Sequence, residues 1–106
     1  MARAEINAGI CGFKTVVHAT TDGSLVNLEI ESDCKAIQKL AAELTQVEPF
    51  KEISTRRSMP RSLEMGVKYC PHAACPVPVG IIKAVEVEAR LALPSDVTIK
   101  ISKSEE

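Results

Sequence analysis

Residues 13–31 restrict the fold of this chain more than any other stretch. Phe13, Thr15, Val17 and Ala19 alternate with Lys14, Val16, His18 and Thr20; Asp22-Gly23 follows; Val26, Leu28 and Ile30 then alternate with Asn27, Glu29 and Glu31. Two runs of period two about an Asp-Gly pair predict an antiparallel hairpin with one buried face, the pair supplying the left-handed backbone of a tight turn. With Asp22-Gly23 as the turn, Thr21 pairs with Ser24, Ala19 with Val26, Val17 with Leu28 and Thr15 with Ile30. Continued outward, that register sets Cys11 opposite Cys34. Both thiols then point to the buried face, at the end of the hairpin remote from its turn.

Upstream, Ala4, Ile6 and Ala8 alternate with polar neighbours and predict a short first strand, which Gly9-Ile10-Cys11-Gly12 interrupts. Downstream, Ser32 or Asp33 is suited to cap a helix in which Ile37, Leu40, Ala41 and Leu44 share a face, with Cys34 in its first turn. That helix ends before Pro49. The polar stretch 49–61 reads as an exposed loop, its Arg56, Arg57 and Arg61 solvated rather than gathered on a phosphate. Leu63, Gly66 and Val67 predict a short helix leading to Tyr69-Cys70 and stopping at Pro71. Pro78 suits the first turn of another, whose buried stripe is Ile81, Ile82, Val85, Ala89 and Ala92 and whose wet side carries Lys83, Glu86 and Arg90. Val97, Ile99 and Ile101 alternate with Thr98, Lys100 and Ser102, predicting a last strand ahead of a charged tail, 103–106. The expected fold is α+β: one domain over residues 4–102, a small, mostly antiparallel sheet covered on one face by two or three helices.

Composition narrows the function classes. At 106 residues and 45% hydrophobic the chain holds one core, and with 3% aromatics and no Trp that core is aliphatic. Phe13, Phe50 and Tyr69 are too few to make a stacking platform, and a net charge of −1 gives no electrostatic reason to expect nucleic acid. Neither a secretion signal nor an apolar run of bilayer length is visible, so a cytoplasmic location with no membrane partner is expected. In that reducing compartment, cysteines serve as ligands or reactive thiols more often than as structural disulfides.

The chemistry concentrates in Lys68-Tyr69-Cys70-Pro71-His72-Ala73-Ala74-Cys75-Pro76-Val77-Pro78, a tight bend before the longest apolar-periodic run. With Cys11 and Cys34 brought to it from the hairpin end, Cys70 and Cys75 complete a Cys₄ set suited to zinc or an iron–sulfur cluster, and His72 could replace one sulfur. Cys34 and Cys75 lie at helix starts, where the positive dipole end favours thiolate. Two plainer readings stand beside this one: cysteines as buried core filling, or two disulfides, Cys11–Cys34 and Cys70–Cys75. His18, on the outer side of the hairpin opposite Asn27, is a surface residue. No GxSxG elbow, P-loop or HExxH motif occurs, and Glu86 and Glu88 fall on different helix faces, so hydrolytic machinery is not expected.

Gly9-Ile10-Cys11 before a strand, Asp22-Gly23 at a turn, Asp33-Cys34 opening a helix, and Cys70 with Ala74-Cys75-Pro76 opening another resemble the small TSCPD-type cysteine domains. More distantly the layout is similar to iron–sulfur scaffold proteins of the NifU N-terminal type, which present cysteines from a hairpin and two helix starts. The resemblance spans residues 9–92 and implies cysteine-based metal binding at Cys11, Cys34, Cys70 and Cys75, without supplying a substrate. The expected function is a small metal- or cluster-binding domain serving electron transfer, cluster handling or a larger enzyme. Its partner is expected to be another protein or a second copy of itself. A zinc-stiffened interaction module and a thiol redox protein using Cys70 and Cys75 are the alternatives.

Overall fold

The alternating segments pair as the hydrophobic pattern requires. In a computed structural model describing residues 1–104, β1 (Ala2–Asn7), β2 (Lys14–Asp22), β3 (Leu25–Ser32) and β4 (Gln46–Val47) form an antiparallel sheet in the order β1-β2-β3-β4. Four helices complete an α+β fold: α1 (Lys35–Glu43), α2 (Pro49–Glu52), α3 (Arg61–Tyr69) and α4 (Val77–Glu88). Ala2, Ile6, Val17, Ala19, Val26 and Leu28 line the inner sheet face and pack against Ile37, Leu40, Ile81, Ala84 and Val85 of the helices. The other face carries Arg3, Glu5, Lys14, His18, Glu29 and Glu31, the polar half of each alternation.

Helix α4 lies across β1, and one glycine sets how closely. A Cβ on Gly80 would stand 2.2 Å from Ile6 Cδ1, so only a bare Cα lets the helix sit this low on the strand. At the other end of α4, the Glu88 carboxylate accepts hydrogen bonds from the backbone N–H and hydroxyl of Thr21 at 2.7 and 2.8 Å and faces the N-terminal ammonium at 3.4 Å. The helix therefore runs antiparallel to β1, its start over Ile6 and its end over Met1.

The hairpin differs from expectation in register. Ala19 pairs with Leu28, Val17 with Ile30 and Thr15 with Ser32, while Asp22 pairs with Leu25 and leaves Gly23-Ser24 as the turn. Gly23 has φ +64° and Ser24 a negative φ, as a glycine-first II′ turn requires, so the left-handed position falls on the first turn residue. The slip is two residues, which keeps every side chain on its face but takes Cys11 out of line with Cys34. Strand β2 begins only at Lys14. Gly9 and Gly12, at φ +86° and +73°, turn residues 8–13 into a loop, closed by Gly12 N–H donating to Gly9 C=O at 2.9 Å.

Segments between and after these elements also depart from the sequence reading. Part of the polar stretch 49–61 is helical, and Glu52 within it is buried at 1% exposure. The short helix expected from Leu63, Gly66 and Val67 is α3, but Val67 is 86% exposed and Met65 is buried in its place. Residues 97–101 form no strand: Val97, Ile99 and Ile101 are 56%, 75% and 89% exposed, because a strand needs an edge to pair with and this segment meets none among the described residues. Helix α4 stops at Glu88, before Ala89 and Ala92. Leu91 N–H bonds back to Glu86 C=O and Arg90 N–H to Val87 C=O, a Schellman stop with Arg90 left-handed at φ 63°. Of the tail, Lys103 and Ser104 are exposed, and Glu105 and Glu106 lie outside the described residues.

Candidate functional site

All four cysteines lie at one end of the sheet. Asn7 pairs with Lys14 and Thr15 with Ser32, so β1 ends, β2 begins and β3 ends in neighbouring rows, and the start of α4 over Ile6 overhangs the same rows. Cys11 sits in the loop joining β1 to β2, Cys34 lies between β3 and α1, Cys70 ends α3 and Cys75 precedes α4. The topology thus brings together what sequence separates.

Local chemistry fixes three of the four. Cys34, rather than Ser32 or Asp33, is the N-cap of α1; its backbone N–H donates to Ser32 Oγ at 3.1 Å, and that hydroxyl accepts from the buried Thr15 hydroxyl at 2.9 Å. Cys70 is the C-cap of α3, its N–H donating to Gly66 C=O at 2.9 Å, and Cys75 N–H closes the bend by donating to His72 C=O at 3.2 Å. A Cβ on Gly66 would lie 2.7 Å from Pro78 Cγ, so the absence of a side chain there draws α3 and α4 together and pins the bend between them. Cys34, Cys70 and Cys75 are half-buried and pack against the core, whereas Cys11 is exposed beside the fully exposed Ile10. All four are free thiols, so neither disulfide of the alternative reading, Cys11–Cys34 or Cys70–Cys75, is formed.

Burial pushes the Cys70 thiol up to about 11, and its interactions with Cys75, then the charge of Cys34, add to the rise. The Cys70 thiol is therefore close enough to Cys75 and Cys34 to feel both. Cys70 also caps the carbonyl end of its helix, where the dipole opposes a thiolate. The activation that a helix start would give a nucleophile is absent at this residue.

Over residues 2–101 the sequence matches DUF6951, a family of unknown function. The chain belongs to that family. No curated protein and no solved structure matches it.

In this DUF6951 domain the remaining predicted site residue, His72, is exposed on the bend with Pro71, Ala73 and Ala74. Among the described residues, no group of three or more His, Cys, Asp or Glu side chains is set to hold a metal ion as it stands. The donor chemistry of Cys34, Cys70 and Cys75 nevertheless suits a thiophilic metal, and a cysteine sulfur shifts between staggered χ1 wells without backbone movement. His18 lies far from them on the outer sheet face, between Arg3 and Glu29 rather than opposite Asn27, with its Nδ1 buried and unpaired. A concavity of about 560 Å³, lined by Phe50, Arg56 and Arg57 among others, includes Ser24 of the hairpin turn and so sits at the opposite end from the thiols. Among the described residues no helix is long and apolar enough to cross a membrane.

Two residues that shape the site were missed from sequence. Glu52 accepts hydrogen bonds from Arg61 N–H at 3.0 Å, Ser62 N–H at 2.9 Å and Ser62 Oγ at 2.6 Å, capping the start of the helix that ends in Cys70. No local signal marks it, since an acidic residue in a polar stretch reads as solvated. Thr15, which braces Ser32, was legible only as one more inward position of the alternation.

Proposed function

We propose that this domain binds a thiophilic metal, zinc or an iron–sulfur cluster, through Cys34, Cys70 and Cys75, with Cys11 closing the site from its loop. The observation that carries this reading is the convergence of three half-buried sulfurs from three separate elements on one sheet end. Deprotonating any one of them raises the energy of the next, and a bound cation removes that penalty while replacing the protons. Zinc there would stiffen a module that meets another protein; a cluster would supply electron transfer or be handed on. The TSCPD-type pattern of cysteines supports the same ligand set, and the raised Cys70 thiol argues against an activated redox nucleophile at that residue.

The test is anaerobic purification with elemental analysis and a visible spectrum, repeated on Cys→Ser variants. Stoichiometric zinc in colourless protein, or iron and sulfide in coloured protein, supports the site and names the metal. Cys34→Ser, Cys70→Ser and Cys75→Ser should each remove the metal, and Cys11→Ser should weaken its retention. Protein that stays metal-free after reconstitution with zinc, cobalt, or iron and sulfide under reducing conditions overturns the proposal.

A further inference from the structure

The C-terminal arm lies apart from the thiol end and poses a separate problem. From Leu93 to Ile101 the chain is irregular, yet it presents Leu93, Val97, Ile99 and Ile101 at 56–89% exposure, an expanse of aliphatic surface that water does not favour. The Schellman stop at Arg90 and the rigid Pro94 lead it away from the body, and the molecule measures 53 Å along its longest axis against 28 and 26 Å across. Its alternation is that of a strand with one apolar face. What it lacks is an edge.

The fold has one to offer. Strand β1 is the outer strand of the sheet, six residues long, with neither a proline nor a bulge to discourage pairing. Its inner face carries Ala2, Ala4 and Ile6, two of them small, beside the helix layer. A parallel strand aligned on it sets Val97, Ile99 and Ile101 next to Ala2, Ala4 and Ile6, so branched residues fall where small neighbours leave room. In the same register Lys100 stands beside Glu5, and Thr98 beside Arg3. The antiparallel alternative puts Lys100 beside Arg3, a like-charge contact.

We propose that residues 97–101 add as a parallel strand to β1 of a second copy of this chain, each copy lending its arm to the other across a two-fold axis. Exchange of an identical element is a low-cost route to a closed dimer, and it buries both exposed arms and both open edges at once. The inference is independent of the metal site.

The full chain is tested with reductant and chelator present, so that neither a disulfide through Cys11 nor a metal can bridge copies. Sedimentation or light scattering should give a dimer, and hydrogen exchange should show slowed amides in 97–101 and β1. Ile99→Lys, at a position solvated within its own chain, should leave amide protection in β2, β3 and α4 unchanged, free the amides of 97–101 and weaken the dimer by about 100-fold or more, since each variant side chain acts twice. Three results would overturn the proposal. A monomer with freely exchanging arm amides leaves the arm to a different protein. A monomer with protected arm amides places it on its own β1. A dimer indifferent to Ile99→Lys puts the interface elsewhere.

Discussion

Replacing Glu52 tests how this small domain keeps its thiol end in place. Helix α3 starts after Pro60 with no side-chain cap of its own, and the Glu52 carboxylate, 1% exposed, supplies the missing acceptors to Arg61 and Ser62. Hydrogen bonds to a charged group contribute about 1.5–3 kcal/mol each, but a sum over three overshoots, because removing the carboxylate also removes the cost of burying it. The durable loss is the pair of Ser62 donors, on a residue with no exposure, each left unsatisfied at about 1–3 kcal/mol. Glu52→Ala should therefore destabilise by about 3–4 kcal/mol. Glu52→Gln keeps one carbonyl oxygen but turns an N–H₂ toward one of the donors, for a loss of about 1–2 kcal/mol. Urea unfolding followed by circular dichroism reads both as midpoint shifts at constant slope. A loss under about 1 kcal/mol for alanine, or equal losses for the two variants, would refute the capping argument. Because α3 delivers Cys70 at its other end, alanine should also lower the affinity of the proposed site for zinc in the folded protein.

Three further outcomes follow from single contacts. Gly80→Ala should destabilise by about 1–2 kcal/mol in the same assay: the new Cβ, 2.2 Å from Ile6 Cδ1 and 2.5 Å from Cγ1, forces α4 off β1, and the helix-propensity gain of about 1 kcal/mol offsets only part of the strain. Arg90→Gly should stabilise by about 0.5–1 kcal/mol, read as a raised urea midpoint, because glycine takes the left-handed C′ position freely. The Thr21 hydroxyl and backbone N–H, with the N-terminal ammonium, hold the Glu88 carboxyl below its ordinary 4.5. Its stabilisation is thus present above that value and lost as pH falls through the folded-state pKa. Glu88→Gln should accordingly show a shallower fall in stability below about pH 4.5 than the wild type, in urea titrations at stepped pH.

Much of the fold was legible because period two and period 3.6 leave different marks. Val17, Ala19, Val26 and Leu28 declared one inner face, and the buried Ile37, Leu40, Ile81 and Val85 declared their helices. Alternation specifies a face, however, and says nothing about which inward residue meets which. A shift by two leaves Val17 as well matched to Ile30 as to Leu28, so only the turn decides, and Asp22-Gly23-Ser24 holds two candidate pairs. The same blindness explains residues 97–101: Val-Thr-Ile-Lys-Ile encodes a strand, while the edge that would receive it is set by tertiary structure. Two-residue β4 carries too little pattern to detect at all, and Glu52 looks like any solvated acid until Ser62 folds onto it.

For the thiols the error in register proved less damaging than it first looks, for a topological reason. Cys11 and Cys34 do not face each other across a ladder, but the turn at Gly23-Ser24 sends both remote ends of the hairpin to one side, and the descent of α4 along β1 brings the Cys70–Cys75 bend to that side as well. Hairpin length and helix direction, rather than exact pairing, determine that outcome, which is why the four cysteines share one end of the sheet although the register differs from the expected one. What pairing does determine is rank. Cys34, Cys70 and Cys75 are each tied by a backbone hydrogen bond at a helix end or bend and wedged against the core, while Cys11 rides an exposed loop between two left-handed glycines. In the proposed site, three anchored donors and one from a loop would let the metal be released at a single ligand without unfolding the frame. On this argument Cys11→Ser should speed metal transfer to a chelator, whereas loss of any of the other three should remove the metal altogether.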